Sequence, residues 1–485
     1  MTTITLNPSG RRLEVAAGTA LRDALFAEGV EFPCGGRGRC HGCRVRVIAG
    51  ALAPTAEDRA GLTPSEVKAG WRLACRHTVD ADLTLELAQW EMAVLADDSH
   101  FAFTPRAGLG IAVDLGTTTI AAQLLDLQTG DVLAARTALN AQARHGADVL
   151  SRAAYAMAGG ADELTALIRS QIGAMVTEMA PAGGLSRIVV AGNSVMHHLF
   201  GGLDVTPLAT HPFRPRIRGT LQFSGTELGW PTNAPVEVLP CIGGLVGGDV
   251  LAGVMATRLD QQDGLTALVD LGTNGEVVVA RGGQMLCAST AAGPAFEGAR
   301  IAHGMRAATG AIDAVELQGS AITCRVIGGG TARGLCGSGL VDAVAAGLDL
   351  NVITPSGRLA QDWPLQDGVK LTPNDVRELQ LAKGAIAAGL KLLTARFGAT
   401  PADLTALYLA GAFGNAVSLT AAQRIGLLRL PMDRIVPVGN TALKGAKQAL
   451  FADLAAFETL ARQIDYAPLN EEPGFQDVFA EEMGF

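Results

Sequence analysis

The sequence predicts a small α+β domain followed by a larger α/β domain built of two similar lobes. Three observations predict it. The N-terminal stretch carries short strands around a loop crowded with glycine and cysteine. From about Leu109 the pattern changes to apolar strands alternating with alanine-rich helices. Two of those strands, in residues 110–119 (GIAVDLGTTT) and 267–276 (ALVDLGTNGE), run into nearly the same loop, as a duplicated half would. The 485 residues and 48% apolar content suffice for two domains with sizeable cores, which excludes a disordered chain. The 60 glycines follow no Gly-X-Y period, which excludes collagen. A net charge of −9 without a basic block argues against nucleic acid and anionic membrane surfaces as partners. No uncharged apolar run is long enough for a transmembrane helix. The opening MTTITLNPSGRRLEV has neither an apolar core nor a cleavage signal, so a cytoplasmic protein is expected.

Residues 4–6 and 13–15 read as strands joined across the turn Asn7-Pro8-Ser9-Gly10. Residues 19–28 follow a helical period, with Leu21, Leu25 and Phe26 on one side. The glycine-cysteine loop comes next, then the alternating strand Cys43-Arg44-Val45-Arg46-Val47, and residues 71–76 and 83–87 would close the sheet. Strand, strand, helix, loop, strand is the order of a β-grasp unit. Residues 96–105 read as part of a linker. The expected boundaries are a first domain at 1–92, a linker at 93–108 and a second domain at 109–485. Its lobes fall at about 109–265 and 266–485, with the C-terminal helices returning. The acidic tail contains Phe475, Phe479 and Phe485 and is expected to dock.

Cys34, Cys40, Cys43 and Cys75 are spaced C-x5-C-x2-C-x31-C. Eight cysteines in so long a chain make no disulfide framework, and a cluster of four suits metal or redox chemistry in a reducing compartment. Four thiolates on a β-grasp unit suit a [2Fe–2S] cluster, two sulfurs to each iron. Gly35, Gly36, Gly38 and Gly42 would let the loop curl around it and aim N–H groups at the sulfides. A zinc site is the alternative, but zinc favours paired C-x2-4-C knuckles and only Cys40 and Cys43 make one. The spacing resembles that of the adrenodoxin-like ferredoxins. Cys241, Cys287, Cys324 and Cys336 share no spacing and read as core or loop thiols, and His41 and His77 as partly exposed loop residues.

Asp114-Leu115-Gly116-Thr117-Thr118-Thr119 and Asp270-Leu271-Gly272-Thr273-Asn274-Gly275-Glu276 each follow an apolar strand. A strand-end aspartate can orient Mg²⁺ through water. A glycine lets the backbone approach phosphate without a Cβ clash, and hydroxyls with successive N–H groups can hold phosphate oxygens. The pair resembles the phosphate-1 and phosphate-2 loops of the actin, sugar-kinase and heat-shock ATPase superfamily, the two-lobed, actin-like ASKHA fold. GGDVLAGVMATRL (247–259) is similar to its first connecting helix, LYLAGAFGNA (407–416) to its adenosine motif and GNTALKGAKQAL (439–450) to its second connecting helix. The resemblance implies ATP–Mg²⁺ held by Gly116, Thr117, Thr118, Gly272, Thr273, Asn274, Gly275, Gly411 and Gly414. It also implies Asp114 and Asp270 positioning Mg²⁺ through water and Asp249 near the metal or the attacking water. Asp249 reads equally as a helix N-terminal carboxylate. Asn274 stands where many relatives have glycine, which bears on hydrolysis more than on binding.

The fold alone does not fix the function. VAGNSVMHHLF (190–200), AGPAFEG (292–298), GLCGSGLVDAVA (334–345) and the closing PGFQDVFAEEMGF narrow it. Together with the four-cysteine module they resemble the reductive activators of corrinoid proteins, the RACo-like family, over nearly the whole chain. That resemblance implies an N-terminal [2Fe–2S] ferredoxin domain and ATP-dependent reduction of Co(II) cobalamin to Co(I). The client would be a corrinoid-dependent methyltransferase or corrinoid protein, with an upstream electron donor; a homodimer is left open. A methionine synthase lacking its own reactivation domain fits as a client. Longer relatives carry a spacer domain, whereas here about fifteen to twenty residues intervene, a tether of about 30–60 Å if extended. His197 and His198 read as a cobalt ligand or, preferably, as a helix-start pair. Met196 reads as core and Ser194 as the helix cap. Two other functions suit the fold. A ferredoxin-regulated small-molecule kinase predicts phosphoryl transfer without a cobalt partner. A non-catalytic ATP-switched Fe–S binding module predicts nucleotide binding with negligible turnover.

Overall fold

The structure is a computed structural model and describes residues 1–485 apart from 8–9, 27, 31, 33–35, 39–42, 88–96, 98, 147, 181–183 and 273. In the first domain, Thr2–Asn7 alternates buried and half-exposed side chains, with Ile4 and Leu6 wholly inside. It pairs antiparallel with Arg11–Val15 and parallel with Leu83–Leu87, and the sheet continues through Arg44–Ala49 to Trp71–Leu73. The helix expected over 19–28 is only Leu21–Phe26, because Thr19–Ala20 pairs with Thr78–Val79 instead. Residues 74–76 leave the sheet as the 3-10 turn Ala74–Arg76.

The larger domain holds two six-stranded sheets that share a plan over five strands. In the first, Leu109–Leu115, Thr119–Asp126 and Val132–Leu139 form an antiparallel meander, and Leu185–Gly192 and Pro235–Val238 extend it in parallel. In the second, Thr266–Leu271, Gly275–Arg281 and Gln284–Thr290 form the meander, and Ala406–Ala410 and Ile435–Gly439 extend it in parallel. Each duplicated loop is therefore the first hairpin turn of its meander. The strands leading into them are nearly continuous apolar runs because both sheet faces are covered.

Helices Gly248–Thr257 and Thr441–Ala449 cross between the sheets. Leu251, Val254, Leu443 and Ala446 share one core with Ala112 and Ala121 of the first sheet and Val278 and Ala280 of the second. Glycine makes the crossing close: a Cβ on Gly445 would stand 2.2 Å from Ala252 O. The chain then returns through Leu454–Gln463 to strand Ile464–Tyr466, which pairs with Gln284–Thr290. The tail docks as helix Phe475–Glu482 against Pro373–Ala395. Gln380 donates to Met483 O (2.9 Å), and the buried Lys383 ammonium donates to Gly484 O.

The linker is pinned where it is described. Buried Lys447, on the second connecting helix, holds the Asp97 carboxylate (2.6 Å) and carbonyl (2.5 Å). Phe101 and Phe103 pack on Phe451. The first domain rests on both lobes. On the first lobe, Leu139 and Ala143 are buried in its core beside Leu25 and Phe26, and the Arg144 guanidinium lies 4.7 Å over the Phe26 ring. On the second, Arg306 donates to Gly29 O (2.8 Å), and Arg333 reaches Leu87 O (3.3 Å) and the Glu86 carboxylate (3.4 Å). Among the described residues no helix is long and apolar enough to cross a membrane.

Candidate functional site

Each meander delivers an aspartate to the interlobe cleft from the penultimate position of its first strand: Asp114 and Asp270. Asp249 arrives from the first turn of Gly248–Thr257 and Glu276 from the start of Gly275–Arg281. Burial first, and then the charges of neighbouring aspartates, lift Asp114 and Asp270 from 3.8 to about 7, with the Asn440 hydrogen bond opposing the rise at Asp114. Burial lifts Asp249 to about 6, and Glu276 rises well above its ordinary value through burial and then the charges of Asp249 and Asp270. Four carboxylates that resist ionising together fit a divalent cation, which would stabilise their charged forms. Asn440 donates to Asp114 Oδ2 (2.8 Å), and the Val250 N–H donates to Asp249 Oδ1 (2.8 Å). Asp249 thus sits in the first turn of its helix and faces the other acids.

The first loop is fixed from behind. Gly116 leaves no room for a Cβ, which would stand 2.4 Å from Thr119 O. Asn140 donates through Nδ2 to Gly116 O (2.9 Å) and through its N–H to Thr118 O (2.9 Å), while its Oδ1 accepts from Gln142 N–H (3.0 Å). Asn193 donates to Thr117 Oγ1 (2.9 Å), and buried Arg152 donates to Thr117 O. Burial brings the Arg152 pKa down to about 9, against the opposing charges of Asp148 and Glu297. Thr118 Oγ1 donates to Glu297 Oε2 of the other lobe (3.1 Å).

In the second loop the Gly272 N–H donates to Asn274 O (3.2 Å), and Thr273 lies outside the described residues. Gly275 is required by packing, since its Cβ would meet Ile386 at 2.5 Å and Thr290 at 2.7 Å. Gly411 has φ +89°, and a Cβ there would stand 2.7 Å from Asp270 Oδ1, so the loop after Ala406–Ala410 sits directly on the Asp270 turn. Gly414 packs on Leu409, and Phe413 stacks on Phe296 at 4.7 Å. Sequence reasoning missed Asn140, Arg152, Asn193, Glu276, Glu297 and Asn440 as cleft residues. Four of them stand inside the quoted motifs, where no periodicity tells which way a lone polar side chain faces; Asn140 and Arg152 stand in none.

In the small domain, Cys43 is fully buried and Cys75 sits on the turn Ala74–Arg76. The Ala74 N–H donates to Cys43 O (3.0 Å) and clamps the two segments together. Gly36 and Gly38 take left-handed φ of +76° and +68°, and a Cβ on Gly36 would stand 3.8 Å from Cys75 Cβ, so the glycine loop does pass beside this cysteine. Cys34, Cys40, His41, Gly35 and Gly42 lie outside the described residues. His77 is a partly exposed loop residue, as expected, but its ring turns inward, and Nε2 pairs with the buried Asp58 carboxylate at 2.8 Å. Burial alone would raise the Asp58 pKa, but bonds from Leu73 and Thr55 N–H groups and from His77 hold it below its ordinary value.

His197 and His198 lie on helix Ser194–Gly201 without exposed surface, so neither is presented to a partner's cobalt. The cap of that helix is Asn193, whose Oδ1 accepts from Val195 and Met196 N–H groups (3.1 and 3.0 Å). Ser194 donates to Val246 O instead (3.0 Å), and Met196 is core. Cys241, Cys287 and Cys336 are buried, and Cys324 is half-buried.

A two-lobed ASKHA cleft with a [2Fe–2S] ferredoxin domain seated across it defines an ATPase joined to an electron-transfer module. Family models match along the chain: the 2Fe-2S iron-sulfur cluster binding domain at residues 4–80, the RACo middle region at 109–262, and the C-terminal domain of RACo, the ASKHA domain, at 264–485. The chain is 32% identical over 413 residues to the corrinoid activation enzyme RamQ of Eubacterium limosum, covering 76% of this chain and 69% of that protein. It is 29% identical over 378 residues to the [Co(II) methylated amine-specific corrinoid protein] reductase of Methanosarcina barkeri, covering 70% and 69%. The solved structure of a reductive activator for corrinoid, iron-sulfur protein is similar over 100% of this chain and 98% of that one, with a TM-score of 0.71 and 26% identity. This chain belongs to the RACo family of corrinoid reductive activators.

Proposed function

We propose that this chain reactivates a corrinoid protein by ATP-dependent one-electron reduction, taking the client's cobalt from Co(II) to Co(I). The observation that carries the reading is the seating of a ferredoxin domain on both walls of an ATPase cleft, in a chain similar over its whole length to a corrinoid activator. The residues present fit both groups. Cys43 and Cys75, with Cys34 and Cys40, would hold the [2Fe–2S] cluster, and the cleft carboxylates, Asp114 and Asp270 foremost, would hold Mg²⁺ of ATP through water. When bound, the cluster supplies the single electron, at a potential near about −400 mV in plant-type centres. Each ~59 mV of shortfall against cobalt would cost tenfold in equilibrium.

The chain's own residues bind and move. Gly116, Thr117, Thr118, Gly272, Thr273, Asn274 and Gly275 offer N–H groups and hydroxyls to phosphate, and Gly411 and Gly414 admit the nucleoside. A phosphate entering the first loop competes with Glu297 for Thr118, and so acts on the bond that joins the lobes. A ferredoxin footed on both lobes shifts when they do. Nucleotide can then favour one client-bound geometry over another, which is how its binding energy reaches the redox equilibrium. The client class is a corrinoid-dependent methyltransferase, and a methionine synthase without a reactivation domain is one such client.

The test mixes anaerobic protein, reduced at its cluster, with ATP–Mg²⁺ and a Co(II) corrinoid methyltransferase while cobalt absorbance is followed. ATP-dependent Co(I), lost in Cys40→Ser and in Asp270→Ala, is expected. Persistent Co(II) with every methyltransferase tried, despite a reduced cluster and bound ATP, sinks the reading.

A further inference from the structure

We propose that His197, His198 and Cys241 form a buried site for one zinc-class divalent cation, separate from the ferredoxin cysteines and from the cleft carboxylates. One ring nitrogen of each histidine and Cys241 Sγ all lie within 4.8 Å of one another, and all three residues are at most 1% exposed. Tetrahedral zinc with ligands at about 2.0–2.3 Å sets its donors roughly 3.3–3.6 Å apart, so closing on an ion needs side-chain shifts of about an ångström.

The rings are prepared for ligation. His198 Nδ1 lies 2.8 Å from Ser194 O, and His197 Nε2 lies 3.1 Å from Gly219 O. A carbonyl oxygen only accepts, so those two nitrogens carry the protons. The His198 Nδ1 proton serves Ser194 O rather than the more distant His197 Nδ1 at 3.3 Å. Each ring keeps one lone-pair nitrogen, its other nitrogen anchored on backbone, as metal-ligating histidines usually are. The His198 lone pair at Nε2 is buried and has no hydrogen-bond partner among the described residues. A cation would satisfy it.

Binding would release the Cys241 thiol proton to solvent as the sulfur–metal bond forms. Two imidazoles and a thiolate suit zinc over magnesium or calcium. Three protein donors leave a fourth position for a small ligand. The ion would join three segments behind Asp249: the helix Ser194–Gly201, the Gly219 segment, and the loop of Cys241, whose N–H donates to Arg218 O at 2.8 Å.

Holoprotein with its cluster assembled, grown with added zinc, is weighed by native mass spectrometry. One zinc per chain beyond the two irons and two sulfides is expected. Co²⁺ exchanged into the site should give thiolate-to-cobalt charge-transfer absorption that Cys241→Ala abolishes, while the cluster spectrum and ATP affinity stay at wild-type values. Wild-type holoprotein that carries iron alone after zinc growth and zinc dialysis overturns the proposal, whether or not the variant folds. So does cobalt absorption that Cys241→Ala leaves unchanged.

Discussion

Asn140 ties the first phosphate loop to the turn that enters the ferredoxin core, so its replacement should disturb nucleotide and ferredoxin together. The side chain is wholly buried, donating to Gly116 O and accepting from Gln142 N–H, two residues before Arg144 meets Phe26. Asn140→Ala leaves that carbonyl and that N–H without their partner. One buried unpaired group costs about 1–3 kcal/mol and a lost capping bond about 1, so a loss of about 2–4 kcal/mol is expected in urea unfolding. Asn140→Asp is sharper. It keeps an acceptor for Gln142 N–H but turns an acceptor toward Gly116 O, so the cost falls on the phosphate loop. A penalty of about 1–2 kcal/mol there weakens ATP roughly 5–30-fold, measured by nucleotide titration. Hydrogen exchange in Leu21–Phe26 should rise in the same variant. Wild-type ATP affinity with unchanged exchange would refute the coupling.

Three further outcomes are expected. The cleft aspartates have folded pKa values of about 6 to 7, above their unfolded value, so the folded chain binds more protons between about pH 4 and 7. Stability without nucleotide should therefore fall as pH rises through that window, and stabilisation by Mg²⁺–ATP should grow over the same range; thermal melts at several pH values with and without Mg²⁺–ATP check both. Gly445→Ala should cost about 1–3 kcal/mol by overpacking against Ala252 and blunt the change in radius of gyration on adding nucleotide; an unchanged urea midpoint would mean the crossing is looser than described. Cys75→Ser should lose the visible absorption of the cluster while ATP affinity stays within about twofold of wild type, since the nucleotide loops do not depend on that turn.

The two matching hairpin turns were legible because duplication turns a weak Asp-Leu-Gly signal into a strong one, and because each falls where an apolar strand ends. The connecting helices were legible through their small residues, and Gly445 against Ala252 is the contact those residues permit. Asn140, Arg152 and Glu297 were not, since each acts through one side chain brought in from elsewhere in the chain. The cap of Ser194–Gly201 shows the same limit at short range. Asn193 and Ser194 are both good capping residues, and only the phase of the first turn selects Asn193. The inward turn of the His77 ring left no trace in the sequence, because its partner, Asp58, is 19 positions away. The seating of the ferredoxin left no periodic trace, being made of scattered single side chains: arginines on carbonyls, a carboxylate and a ring, with Leu139 and Ala143 in its core.

The grip of Lys447 on Asp97 sets a leash length. Leu87 ends the last ferredoxin strand and Lys447 of the second connecting helix holds Asp97, so nine residues, ten Cα-to-Cα steps, lie between the strand end and the anchor. Fully extended they span about 35 Å. An undocked ferredoxin would search a sphere of that radius centred on the helix pair that joins the lobes. One module confined to such a volume has an effective concentration on the order of 10 mM. A client held by the lobes with its corrinoid inside the sphere would meet the cluster often without the two binding each other tightly, and weak contact would let the spent module leave.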